Sequence, residues 1–286
     1  LKDKCGNRSN ASSEVEFGGA LGYLVGEEGR GISTILGSAH FTRLDFAVGS
    51  AGLERHAIAL ALHHARHRLS FGKPLIEHPE MARLLADLVL DWHGATRLAF
   101  RLAGCADADT ETEALLLRVL TPVAKYWNCK RVSVVVEEAL ECLGGVGYIE
   151  EHPMARLYRE APLNSIWEGT SNMMAMDVDR SLLREPKIYR VLLDEIALAA
   201  GAHPDLDRTI TALDGMQPSS GVWPGGRAGT SLLALALQGS LLCRHADPLV
   251  ADAFCATRLG RDTLPGFGVT AFDAGTTSAI LRSFGE

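Results

Sequence analysis

The chain has 286 residues, 47% of them hydrophobic and 22% charged, with a formal net charge of −7 and a pI near 5.8. That composition supports a large core and excludes a disordered chain, and the acidic balance weighs against a general attraction to nucleic acid or anionic membranes. No apolar run is long enough to span a bilayer, and the opening LKDKCGNRSN lacks the apolar centre of a signal peptide, so a cytoplasmic or matrix compartment is expected.

Residues 11–17, ASSEVEF, alternate loosely and read as a strand, followed by a glycine-dense loop, GGALGYLVGEEGRG. From Gly31 to about Arg68, the residues Ile32, Ile35, Leu36, Leu44, Val48, Leu53, Ile58 and Leu62 recur at mostly helical intervals. Ala47, Gly49, Ala51 and Gly52 are expected to give this first helix a smooth face for close packing. After a break at SFGKPLIEHP, Pro79 suits the first turn of a second helix, striped by Met81, Leu84, Leu85, Leu88, Trp92, Ala95, Leu98 and Leu102.

The polar stretch ADADTE stops that helix, and a third runs from about Glu113 to Leu143, where Pro122 predicts a kink and GGVG a firm end. A fourth spans about Gly169 to Leu183. Four long helices on short loops predict a bundle. Shorter helical runs near 187–200, 204–214, 229–245 and 247–259 read as an additional helical subdomain. The expected fold is therefore mainly α, with residues 1–28 leading in as a strand and loop, 29–183 forming the bundle and 184–286 the added subdomain.

Single motifs carry little chemistry here. HHARH places His63 and His67 one helical turn apart, yet no H-E-x-x-H accompanies them and no metal site is expected. The segment ECLGGVGY follows no strand and misses the G-x-G-x-x-G spacing of a dinucleotide turn. The six cysteines, at positions 5, 105, 129, 142, 243 and 255, form no C-x-x-C pair and read as buried thiols in a reducing compartment.

The order of the motifs says more than any one of them. R-x-x-F-G-x-P-L at Arg68–Leu75, then LGGVGY at 143–148, then YRE and IWEGT between 158 and 170 together resemble the acyl-CoA dehydrogenase family of flavoproteins. KCGNRSNASSEVEF is similar to the end of that family's middle β-domain, so the resemblance covers residues 1–183. TRLDFAVGS at 42–50, the proline of LTPVAK, NSIWEGTSNMM and the extra C-terminal helices are most similar to its AidB-like branch, named for an adaptive response to DNA alkylation.

The resemblance implies an FAD cofactor, an acyl-CoA thioester substrate and a homodimer or a homotetramer built as a dimer of dimers. It also implies that a helical domain and most of a β-domain precede Leu1 in the complete protein. Arg68 and Phe71 would hold the diphosphate and adenine side of FAD, for which a guanidinium fork is suited. Gly144 and Gly145 would let backbone approach the FAD of a partner subunit. Where the family often has Gln two residues before this leucine, Glu141 stands here.

Glu168 would be the base that takes the α-proton of the thioester while a hydride leaves the β-carbon for the flavin, and burial beside Trp167 would raise its pKa. Trp167, Gly169 and Thr170 would contact FAD. A minority of the family takes its base from the position before an arginine on the first helix; Thr42 occupies it here, so that base is absent, and Arg43 would lie near the substrate. The alternatives are a DNA-binding stress protein with residual dehydrogenation and a catalytically silent helical module. From Leu183 onward nine Lys and Arg face eleven Asp and Glu, which disfavours DNA.

Overall fold

The computed structural model describes residues 1–261, 266–270 and 272–285. Three long antiparallel-packed helices make the body: α1 (Gly31–His67), α2 (Pro79–Asp107) and α3 (Glu111–Cys142). A two-residue-per-strand hairpin, β1 (Leu69–Ser70) and β2 (Lys73–Pro74), joins the first two. After α3 come α4 (Pro153–Glu160), α5 (Ser171–Arg184), α6 (Pro186–Ala197), α7 (Pro204–Gly215), α8 (Gly226–His245), α9 (Pro248–Arg258) and α10 (Ala274–Ser283).

The helix limits follow local chemistry. Pro79 opens α2 where a missing N–H costs nothing. Thr110 Oγ1 accepts the Glu113 amide at 3.2 Å and caps α3. Pro122 lies inside α3, which nevertheless runs unbroken to Cys142. Gly144, at φ +60°, ends it by taking the left-handed conformation that side-chain-bearing residues avoid.

α3 is the centre of the packing, with α1, α2, α5 and α8 around it. On α1 the buried stripe is Ala47, Ser50, Ala51, Glu54, Ala57, Ile58, Ala61, Leu62 and Ala65, at three- and four-residue steps. Small residues do provide the close face, but Gly49 and Gly52 point outward and Ser50 and Glu54 point in. Asn128, fully buried on α3, donates from Nδ2 to the Ala47 carbonyl at 3.2 Å and the Ala95 carbonyl at 3.0 Å, tying three helices at one level.

Three sequence expectations are corrected. The first turns of α1 leave Ile32, Ile35 and Leu36 exposed, because no described element packs against those turns. Residues 11–17 form no strand: the Lys2 amide donates to the Ser12 carbonyl at 2.9 Å, but that bond is not repeated into a ladder. That arm touches the body at Asn7, whose amide donates to Glu160 Oε1 at 2.8 Å. The helix α10 was not expected from its Gly-, Thr- and Ser-rich sequence; an Asp273 cap on the Thr276 amide at 3.0 Å and the burial of Ile280 and Phe284 hold it.

The C-terminal helices share the core of the bundle. Leu192, Leu193, Leu233 and Leu237 pack with Leu98, Leu102, Leu116 and Leu120. Val250 and Phe254 pack with Leu85, Leu88 and Val135. Gly94 makes room for this, because a Cβ there would lie 2.9 Å from Phe254 Cε2. Buried charge pins the same junction: Arg258 reaches Asp91 Oδ1 at 3.0 Å and also Asp87, while Arg131 Nε reaches Asp91 Oδ2 at 2.8 Å. Burial pushes the Asp91 carboxyl up, but the two guanidiniums outweigh it and hold the group below its ordinary range.

Glu54 is the exception to this pairing. It is 0% exposed and neither carboxyl oxygen has a hydrogen-bond partner among the described residues. Burial first, then the nearby Asp91, push its pKa well above 4.5 against the pull of Arg131. A raised folded pKa means that unfolding releases a proton once the pH exceeds the unfolded value, so this group lowers stability progressively from about pH 4.5 upward. Glu54→Gln removes that penalty without changing shape. In thermal melts its Tm should exceed that of the parent by about 2 °C or more at pH 7.5, with the gap shrinking towards pH 4.5; a gap independent of pH would disprove a protonated Glu54.

Candidate functional site

The segment from Ala161 to Thr170 carries the chain from a 3-10 turn into α5, and its geometry is unusual at two successive residues. Glu168 has φ +54° and Gly169 φ +107°, both left-handed. For glutamate that conformation costs about 1–3 kcal/mol and persists only when the surroundings enforce it. At φ +107° residue 169 favours glycine, and a Cβ there would also have to displace the Met174 methyl, 2.9 Å away.

The enforcement comes from α1 and α3. Arg43 Nε donates to the Glu168 carbonyl at 3.0 Å, and Lys125 Nζ donates to the next carbonyl, that of Gly169. Phe46 stacks on Trp167 with centroids 4.5 Å apart and planes 13° from parallel. Asn164 Nδ2 donates to Ser50 Oγ at 3.1 Å. Trp167 thus turns inward onto Phe46, and the left-handed turn throws Glu168 outward, where its side chain is exposed in this chain. The expected burial of the carboxylate against Trp167 is not what the described residues show.

Lys125 is 1% exposed and makes no ion pair among the described residues. Burial lowers its pKa, and Arg43 adds to the effect. Arg43, at 14% side-chain exposure, is braced by Asp177 at 3.5 Å, which in turn holds Arg118 at 2.7 Å. His40 nearby is held below its ordinary pKa by burial and by Arg118 and Arg43. Two cations therefore grip adjacent carbonyls of one turn and leave its carboxylate free to meet another molecule.

A second constellation forms at the far ends of α1 and α3. A cavity of about 640 Å³ is lined by His64, Arg68, Ser70, Glu141, Gly144 and Gly145, among others. Arg68 closes α1 with its amide on the His64 carbonyl at 2.8 Å, and its carbonyl accepts the Leu75 amide at 2.9 Å across the hairpin. The hairpin turn is Phe71 at φ +49° and Gly72 at φ +83°, a tight reversal that leaves the Phe71 ring 97% exposed. A Cβ added at Gly144 or Gly145 would meet nothing within 4 Å, so the backbone there is open to a ligand.

The structure thus brings Arg68, Gly144, Gly145 and Glu141 to one cavity and Arg43, Trp167, Glu168, Gly169 and Thr170 to one turn. No residue of the turn lines that cavity. Phe71 stands at the hairpin tip, next to the lining residue Ser70. Among the described residues, no group of three or more His, Cys, Asp or Glu is placed to hold a metal ion. His63 and His67 lie ring against ring, with centroids 4.4 Å apart and planes tilted by 37°. Lys125, Asp177 and Phe46 were not anticipated; the one available signal was a lysine set in the apolar run LTPVAKYW.

Residues 29–183 match the family described as acyl-CoA dehydrogenase, C-terminal domain. The chain is 44% identical over 260 residues to the Escherichia coli protein named putative acyl-CoA dehydrogenase AidB, covering 91% of this chain and 48% of that protein. It is 36% identical over 185 residues to acyl-CoA dehydrogenase family member 11 of Caenorhabditis elegans, covering 63% and 30% of the two. The crystal structure of C. elegans ACDH-11 in complex with C11-CoA superposes with a TM-score of 0.81 at 28% identity, over 91% of this chain and 50% of that one. The chain spans about half the length of the E. coli relative. Among the described residues no helix is long and apolar enough to cross a membrane.

The grip on the turn has a measurable consequence. A hydrogen bond from a charged donor contributes about 1.5–3 kcal/mol, so Lys125→Met, which keeps the packing and removes the donor, should speed amide exchange across residues 166–170 by about ten-fold or more. Exchange in α2 should stay as it was. Unchanged exchange in the turn would show that Lys125 does not restrain it.

Proposed function

Since the chain belongs to the acyl-CoA dehydrogenase family, whose C-terminal domain its residues 29–183 match, we propose that it is the C-terminal part of an FAD-dependent oxidoreductase acting on acyl-CoA thioesters, with Glu168 as the base. The observation that carries this reading is the restrained left-handed turn at Glu168–Gly169. An α-proton beside a thioester carbonyl is weakly acidic, and its removal needs a carboxylate held at the carbon. Arg43 and Lys125 supply the holding, through the backbone on either side of the carboxylate, and Gly169 removes the side chain that would obstruct a close approach.

The residues of the second cavity fit a dinucleotide cofactor. Arg68 offers a guanidinium fork for a diphosphate, Gly144 and Gly145 leave bare backbone beside it, and the exposed Phe71 ring offers a flat apolar face. Glu141 lines the same cavity and puts a carboxylate where a neutral amide would suit a phosphate better. Bound FAD would supply the acceptor for the hydride that leaves the β-carbon. Thr170, exposed at the start of α5 and outside that cavity, would donate its hydroxyl to an FAD whose diphosphate lies in the corresponding cavity of a partner subunit.

Assembly belongs to the same reading. Ile32, Ile35, Leu36 and Phe41 on α1 and Met173 and Met176 on α5 are exposed, and apolar surface of this kind is suited to a homodimer or a dimer of dimers. The net acidity of the residues after Leu183 works against DNA as the partner of those helices.

In the complete protein, Glu168→Gln should slow reduction of the flavin by an acyl-CoA by about 10²- to 10⁴-fold, the usual range for loss of a general base, with cofactor content unchanged. Arg68→Ala should instead lower FAD occupancy. Flavin reduction by the Glu168→Gln protein at the parent's rate, followed by stopped-flow absorbance, would remove Glu168 from the mechanism.

A further inference from the structure

The cysteines, unremarkable in the sequence, are not equivalent in the fold. Cys243 on α8 and Cys255 on α9 have their sulfurs 3.8 Å apart, across a helical hairpin turned by Ala246 and Asp247. We propose that these two thiols form a modification site that a hydroperoxide oxidises to an intramolecular disulfide. The two helices approach closely because α8 has Gly239 at the contact: a Cβ there would lie 3.4 Å from Cys255 Sγ and 3.1 Å from Leu259 Cδ1. At 3.8 Å the sulfurs are in van der Waals contact, and an S–S bond draws them to about 2.05 Å.

The pair divides the work. Cys243 is half-buried and reachable, whereas Cys255 is fully buried. The hydrogen bond from Cys255 lowers the pKa of Cys243, against burial and the carboxylates of Asp207 on α7 and Asp252 on α9. The same bond, then burial, raises Cys255. Cys243 is therefore the thiol that ionises and attacks, and Cys255 the one that resolves. Elsewhere burial pushes Cys105 and Cys142 up to about 12 and Cys129 up to about 11, and Cys5 is exposed without a neighbouring thiol.

The reaction balances as two steps. The Cys243 thiolate attacks one peroxide oxygen, forming an S–O bond and breaking the O–O bond; the leaving oxygen takes a proton and departs as an alcohol or water. The Cys255 sulfur then attacks Cys243 sulfur, forming the S–S bond and displacing hydroxide, which leaves as water with the Cys255 proton. Two electrons pass from the two sulfurs to one hydroperoxide.

The test treats the reduced, desalted 286-residue chain with hydrogen peroxide and maps its peptides without reduction. The expected result is a loss of two hydrogens per chain, a peptide pair linked through Cys243 and Cys255, and reversal by a phosphine reductant. Cys255→Ala should leave a sulfenic acid on Cys243 that dimedone captures, and Cys243→Ala should leave Cys255 reduced, each with the circular dichroism of the parent. The rate should rise with pH as Cys243 ionises. Both thiols still free after treatment, oxidation confined to Cys5 bridges between chains, or absence of dimedone label in Cys255→Ala would each overturn the proposal. Should Cys255→Ala fail to fold, Cys255→Ser with the same label decides.

Discussion

The close contact of α1 with α3 is the constraint on which the rest of the molecule depends. It is set by small side chains on α1 and fastened by one buried amide, Asn128, whose nitrogen serves carbonyls of both α1 and α2. With those backbones fixed, Arg43 from α1 and Lys125 from α3 arrive at adjacent carbonyls of the 168–169 turn. Bulkier residues at Ala47 or Ala51 would separate the helices, and the two cations would no longer reach one turn. The packing is thus upstream of the chemistry: spacing decides whether a strained conformation can be held at all.

A similar logic governs the interior charges. Arg131 and Arg258 meet Asp91 and Asp87 in a fully paired group that joins the bundle to its C-terminal helices. Arg101 does likewise for α2, α3 and α6, bridging Glu113 and Glu195, and Arg244 of α8 adds a second cation to Glu195. Breaking one member of such a group leaves a buried charge unpaired, which costs more than the pair contributes. These networks give the helices one register relative to each other, which nonpolar packing alone specifies less sharply.

Much of this was legible in the residues. Helical periodicity located α1, α2 and α3 to within a few positions, because their buried stripes are long and Pro79, Thr110 and Gly144 mark their ends in the local sequence. Arg68, Gly144 and Gly145 could be singled out as a group because R-x-x-F-G and L-G-G resemble the family's motifs in order; helix-end chemistry alone explains each of them without a ligand. What periodicity missed depends on contacts distant in sequence. Ile32 and Ile35 have the spacing of buried residues and lie exposed, since spacing cannot say whether a neighbour exists. The apolar run around Lys125 marks it as buried but not what it holds, because its partner lies 44 residues away, and the outward turn of Glu168 follows from a backbone sign that no side-chain pattern encodes.

The contacts that close the turn join parts of the chain far apart in sequence. Asn128 bonds to Ala47 across 81 residues, and Arg43 bonds to Glu168 across 125. Loop closure of that length carries an entropic cost that no local bond offsets, so the left-handed turn is held only while both of its anchors, Arg43 and Lys125, stand in place. A loosening between α1 and α3 therefore releases the turn even where each helix keeps its own backbone bonds.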